Sequence, residues 1–106
     1  MNELVNVNEA IAVINDGYRR HTRELTLTSG VAMIPDVSEL LEAVAAFDDF
    51  DEENDPYGEH DFGSLYWYGT KIFWKIDYYD ADLKYWSDPL DKNTRRVLTV
   101  TLASEY

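Results

Sequence analysis

The sequence predicts an α+β domain: two helices packed on one face of a mainly antiparallel sheet of about four strands. Its hydrophobic pattern runs helical, alternating, helical, and then alternating three times along the chain. Each helical stretch opens on an Asn or Asp followed three residues later by Glu, the spacing of a capping box. A short Gly-Thr pair joins two long alternating stretches, as in a hairpin. With 106 residues, 45% of them hydrophobic and 14% aromatic, residues 1–106 suit a single domain with a real core.

The first helix is expected over about residues 7 to 19. Asn6 and Glu9 form its box, and Val7, Ala10, Ile11, Ile14 and Tyr18 form its apolar stripe. Gly17 weakens its end. Arg19, Arg20, His21 and Arg23 follow, and the helix dipole accounts for cations there. Glu24 to Thr28 alternates and reads as a strand, with Val31 to Ile34 continuing extended before Pro35. The second helix starts at Asp36, boxed by Glu39, with Val37, Leu40, Leu41, Val44 and Phe47 as its stripe. Residues 48–63 have neither period and carry Pro56, Gly58 and Gly63, so they form a long loop. Ser64 to Tyr68 and Lys71 to Tyr79 are the hairpin strands. Leu83 to Asn93 is a second connection, and Thr94 to Ala103 is the last strand.

Eleven carboxylates fall between Asp36 and Asp61 with no Lys or Arg among them, and they supply most of the net charge of −12. Crowded like charges cost stability unless a partner, a metal or solvent compensates. Their densest part holds Asp48, Asp49, Asp51, Glu52, Glu53, Asp55, Glu59 and Asp61. A pI near 4.3 argues against direct nucleic-acid or anionic-membrane binding and suits a protein partner with a basic surface. Solubility alone is the plainer use of such charge. The start Met1-Asn2-Glu3-Leu4 lacks the pattern of a signal peptide, and no apolar run approaches the roughly 20 residues that span a bilayer, so a cytoplasmic location is expected.

Alternation assigns Leu65, Trp67, Ile72, Trp74 and Ile76 to the helix-facing side of the sheet. Tyr66, Tyr68, Phe73, Lys75, Asp77 and Tyr79 fall on the other side, joined by Arg95, Val97, Thr99 and Thr101. Tyr66, Tyr68, Phe73 and Tyr79 would make an aromatic patch suited to a partner or a homodimer. Cross-strand pairing on a half-exposed sheet explains the same residues structurally.

Chemical motifs are incomplete. The chain has no cysteine, which removes thiolate chemistry and disulfides. Asp51, Glu53 and Asp55 alternate like the opening of a calcium loop, but Pro56 and Phe62 stand where Gly and Glu are required. Glu59-His60-Asp61 has one local His, a poor transition-metal set, and the only other is His21. No nucleophile elbow, phosphate loop or His-Glu-x-x-His is present. We expect no bound metal or cofactor and no catalytic residue. The competing expectation is a metal-dependent enzyme or metal-binding module centred on Asp55, Glu59, His60 and Asp61. Structural hydrogen bonds from His60, pinning the loop to the hairpin, are the plainer expectation.

Phe47-Asp48-Asp49-Phe50, Asn54-Asp55-Pro56, Gly58-Glu59-His60-Asp61-Phe62-Gly63 and Ile72-Phe73-Trp74-Lys75-Ile76-Asp77-Tyr78-Tyr79-Asp80 carry a family resemblance. The ending Arg96-Val97-Leu98-Thr99 to Glu105-Tyr106 strengthens it. Over nearly its whole length the chain resembles a domain-of-unknown-function family of small acidic proteins found on bacterial plasmids, prophages and other mobile elements. No activity comes with that resemblance. What it implies is a setting in which small acidic proteins inhibit host defence, as anti-CRISPR or anti-restriction proteins do. Acidic stretches can occupy basic nucleic-acid clefts, which gives that implication a physical route.

Overall fold

The computed structural model describes residues 6–22 and 25–106. The elements, in order, are α1 (Val7–His21), β1 (Leu25–Leu27), α2 (Ser29–Ala32), α3 (Val37–Ala45), β2 (Phe62–Trp67), β3 (Thr70–Tyr79), β4 (Arg95–Leu102) and a 3₁₀ turn (Ala103–Glu105). The sheet order is β1-β4-β3-β2. β2–β3 and β3–β4 are antiparallel, while β1 and β4 run parallel, with Leu25 beside Leu98 and Leu27 beside Val100. The fold is therefore α+β with a mixed sheet. A parallel pair needs a long connection that returns to the same end of the sheet, and α2, α3 and the hairpin supply it.

The core forms where both periods meet. Ile11, Val31, Leu40 and Val44 from the helices pack with Ile72, Trp74, Ile76, Tyr78, Leu98 and Val100 from one sheet face. β3 alternates buried and half-buried residues along most of its length. Leu65 and Trp67 pack against the same core. Gly63 lies opposite Trp74, and a Cβ there would meet the indole nitrogen at 2.5 Å. The hairpin closes through Tyr68 and Gly69, both at positive φ (48° and 84°), a two-residue turn whose twist matches the flanking strands.

Several expectations change. The first helix runs through Gly17 to His21. Its buried face is Ile11, Ala12, Asn15 and Arg19, while Val7 and Ile14 are exposed, so the buried stripe is turned one step from the apolar one to take two hydrogen-bonded polar side chains into the core. Asn6 caps the helix by accepting the Asn8 N–H at 2.8 Å. The segment expected to continue extended instead opens with the short helix α2, and Val31 is buried at its centre. Asp36 flanks α3 without a side-chain capping bond; it accepts the Trp67 indole N–H at 3.3 Å instead. Glu24 lies outside the described residues, as does Arg23.

Candidate functional site

The acidic segment is a built loop between α3 and β2, anchored by its few apolar residues. Phe47 and Phe50 meet edge to face at 5.1 Å and both pack against Trp74, at 5.5 and 6.1 Å between ring centres. Burying these rings holds the chain down while the charged residues between and after them stay in water. Asp51 then caps a single turn. Its Oδ1 accepts the N–H groups of Glu53 and Asn54, the Asn54 Oδ1 accepts the Asp51 N–H, and the Asp55 N–H reaches the Asp51 carbonyl. The Asn54 amide also donates to the Asp49 carbonyl at 2.9 Å. Turn and cap together present Asp48, Asp49, Asp51, Glu52 and Glu53, all exposed. Among the described residues no Lys or Arg forms an ion pair with any of them.

The later carboxylates do different work. Asp55 is buried and accepts the His60 N–H. His60 sits at φ 56°, stacks on Phe50 with ring centres 3.8 Å apart, and places Nδ1 3.0 Å from Asp16 on α1. Its Nε2 lies 3.6 Å from Asp55. Both ring nitrogens thus face carboxylates. The His60 side chain pins the loop to α1, not to the hairpin that the sequence suggests. Asp16 also pairs with Arg19 at 3.2 Å. Arg19 has a fully buried side chain and donates to the Val44 carbonyl (3.0 Å) and the Phe47 carbonyl (2.7 Å), with its guanidinium 4.7 Å above the Trp74 ring. It therefore serves the C-terminal end of α3, not the dipole of its own helix. Burial lowers its pKa, and Asp16 opposes that shift.

A second network holds the other end of the loop. Arg96 Nε donates to Asn15 Oδ1 at 2.6 Å, and the Asn15 amide donates to the Tyr78 hydroxyl (2.8 Å) and the Glu59 carbonyl (2.9 Å). The Tyr78 hydroxyl donates to the Glu59 carboxylate at 3.1 Å. Arg96 also reaches the Pro89 carbonyl, and Tyr18 donates to the Arg96 carbonyl. Burial first, then the nearby Asp61 and Glu59 charges, push the Tyr78 hydroxyl well above the usual phenol range, against the Asn15 bond. Asp61 is half-buried, and burial followed by Glu59, Asp55 and Asp77 raises its carboxyl above the usual range.

Asp55 and His60 therefore face each other, while the Glu59 carboxylate turns to Tyr78. Among the described residues no group of three or more His or carboxylate side chains is placed to hold a metal ion. From sequence, Asn15, Asp16, Tyr78 and Arg96 receive no site role, and Arg19 only that of a cation at the end of its own helix. A signal existed for some of them: Tyr78 shares parity with Ile72, Trp74 and Ile76, and Arg96 with Leu98 and Val100, so both are polar groups at core positions. Asn15 sits one turn after the buried Ile11.

The aromatic face is divided. Tyr66 is exposed on the outer side of β2, and Tyr68 is exposed at the hairpin tip, edge-on to Trp67. Phe73 is half-buried under Phe62 and Tyr106, at 5.3 and 5.2 Å. Tyr79 is half-buried and bridges to Trp86. Glu105 fastens the 3₁₀ turn by accepting from Thr28, Ser29 and the Gly30 N–H.

The family model described as a protein of unknown function (DUF3768) matches residues 27–105, and the chain belongs to that family. No curated protein and no solved structure matches the chain significantly. Among the described residues no helix is long and apolar enough to cross a membrane.

Proposed function

We propose that the chain is a protein-interaction module that presents the Asp48–Glu53 turn to a basic surface on another protein, of the kind that otherwise holds nucleic acid. The observation that carries this reading is the turn itself: five exposed carboxylates with no Lys or Arg ion pair among the described residues, held on backbone fixed by Asp51, Asn54 and the Phe50 anchor. Charge fixed before encounter loses less freedom on binding than charge on a loose tail. Opposed potentials also raise the association rate. Asp55, Glu59 and Asp61 act in this reading as supports that aim the turn, not as contacts. The setting we propose is a mobile-element inhibitor of host defence, of anti-CRISPR or anti-restriction type, whose target is a nuclease or surveillance complex. The internal partners of Asp55, His60 and Glu59 weigh against a metal centre on those residues.

The test is capture of partners from a host lysate at low and high salt, followed by kinetics with the captured protein. A variant carrying Asp48→Asn, Asp49→Asn, Asp51→Asn, Glu52→Gln and Glu53→Gln keeps the capping acceptors and loses the charge. It should associate more slowly and with a flatter salt dependence, because screening acts within about 8 Å at physiological salt. Association as fast as wild type overturns the proposal. So does complete loss of function in a folded Glu59→Gln protein, since a single neutral isostere behind the turn should matter only in a catalytic or ligand site.

A further inference from the structure

We propose that the free edge of the sheet is a self-association site, at which β2 of one protomer pairs antiparallel with β2 of a second copy about a two-fold axis at Ser64. β2 ends the sheet. Because the hairpin turn has two residues, Trp67 and Thr70 are its closing hydrogen-bonded pair. Bonded and non-bonded pairs alternate along an antiparallel ladder. Leu65 and Gly63 therefore also bond toward β3, and the Asp61 carbonyl keeps that phase by accepting the Ile76 N–H at 2.8 Å. The backbone groups of Phe62, Ser64 and Tyr66 consequently point off the edge, and no backbone bond among the described residues uses them.

Sheet edges are normally blunted by Lys, Pro, a bulge, a cover or shortness. β1, at the other end, has only three residues. β2 reads Phe62-Gly63-Ser64-Leu65-Tyr66-Trp67, with no charge and no proline, in unbroken register with β3. Its outward set is self-complementary. About Ser64, Phe62 meets Tyr66 of the partner subunit, an aromatic cross-strand pair that stabilises such ladders. Ser64 meets Ser64 of the partner subunit, and each bonded pair exchanges both N–H···O bonds. On the inner side Gly63 meets Leu65 of the partner subunit, over the Trp74 indole that lies against Gly63.

Charge selects the same arrangement. With a net charge of −12 per chain, two acidic loops side by side would repel. Antiparallel pairing offsets the loop-bearing ends of the two strands by four residues, about 14 Å at strand rise. That exceeds the screening length of about 8 Å. Each loop then lies beside the partner's hairpin, which carries Lys71 against Tyr66.

Sedimentation equilibrium, run from micromolar to millimolar protein, should show a reversible monomer–dimer equilibrium for the wild type. Ser64→Pro removes an N–H that the monomer does not use, so it should keep the wild-type circular dichroism and remain monomeric. Ser64→Cys adds a single thiol to a chain that has none. The Cα separation of a bonded pair, about 5.5 Å, admits a disulfide. Under mild oxidation Ser64→Cys should cross-link at least tenfold faster than Tyr85→Cys, a control at an exposed site on another connection. A wild type that stays monomeric overturns the proposal, even if it captures an extended segment of a different protein. A folded Ser64→Pro that still dimerises overturns it too. Should Ser64→Pro fail to fold, the cross-linking ratio decides, and equal rates refute the pairing.

Discussion

Replacing Arg19 by Met should cost more than any surface charge change in this protein. The guanidinium satisfies the Val44 and Phe47 carbonyls at the end of α3 and pairs with Asp16. Methionine fills most of the aliphatic volume, so the loss is polar and the cavity contribution is small. The Val44 carbonyl loses its charged donor but keeps the Phe47 N–H at 3.2 Å, so its share is about 1 kcal/mol. The Phe47 carbonyl is partly solvated and costs less, and Asp16 keeps His60 as a partner. Together with the lost cation–π contact over Trp74, the total is about 2–3 kcal/mol, below the range for stranding a buried charge because Asp16 stays partnered. A domain of this size holds about 5–15 kcal/mol in all. The urea midpoint should therefore fall by roughly 1–2 M. Urea unfolding followed by tryptophan fluorescence reads this directly, because Trp74 lies under the side chain. Arg20→Met, exposed on the same helix, is the control and should move the midpoint little. If Arg19→Met costs under about 1 kcal/mol and matches Arg20→Met, the residue acts only on its own helix dipole and the reasoning fails.

Three further outcomes follow from single sites. The Tyr78 hydroxyl has its folded pKa raised above the unfolded value of about 10, so its contribution is complete below that pH and is lost as pH rises beyond it; melting temperatures should fall on alkaline titration less steeply in Tyr78→Phe than in wild type, and equal slopes would refute the assignment. Asp61 also has a raised folded pKa, so its ionised form is the one the fold disfavours and stability from this group increases as pH falls toward the ordinary carboxylate range. Asp61→Asn should gain up to about 1 kcal/mol at neutral pH, a small value because the group is half-exposed, and the gain should vanish in acid; urea midpoints at the two pH values test it, and a less stable variant at neutral pH contradicts it. Gly63→Ala drives a Cβ into the Trp74 indole, which is fully buried and has no room to retreat, so thermal melting should show a loss of about 1–3 kcal/mol; no loss would mean the indole shifts freely.

The acidic loop shows how much of a site can be read from sequence. Its place between the second helix and the hairpin was legible, because a run without period, broken by Pro56 and Gly58, cannot continue α3 or begin β2. The split between presented and supporting carboxylates was not. Asp48 and Asp55 are the same residue type, yet the fold buries Asp55 against the His60 N–H and leaves Asp48 in water, while α1 brings Asp16 to the His60 ring. His60 looked like the loop's link to the hairpin because β2 follows it in the chain; its true neighbour is 44 residues away, a distance along the chain that no local pattern encodes.

By itself the sequence determined the alternation of β3, the hairpin, the inward face of β4, the places of two long helices and the concentration of negative charge. Each of these depends on side chains a few positions apart, whose periods of 2 and 3.6 are set by backbone geometry. Tertiary structure alone decided that β1 lies parallel to β4, that Val31 sits in a helical turn, that Asp36 serves Trp67, and that Arg19 serves α3. Asp36 and Arg19 take whichever partner the packing of distant segments brings within hydrogen-bond reach, while Val31 follows its burial in the core and β1 its pairing with a strand far along the chain, each outweighing a local preference.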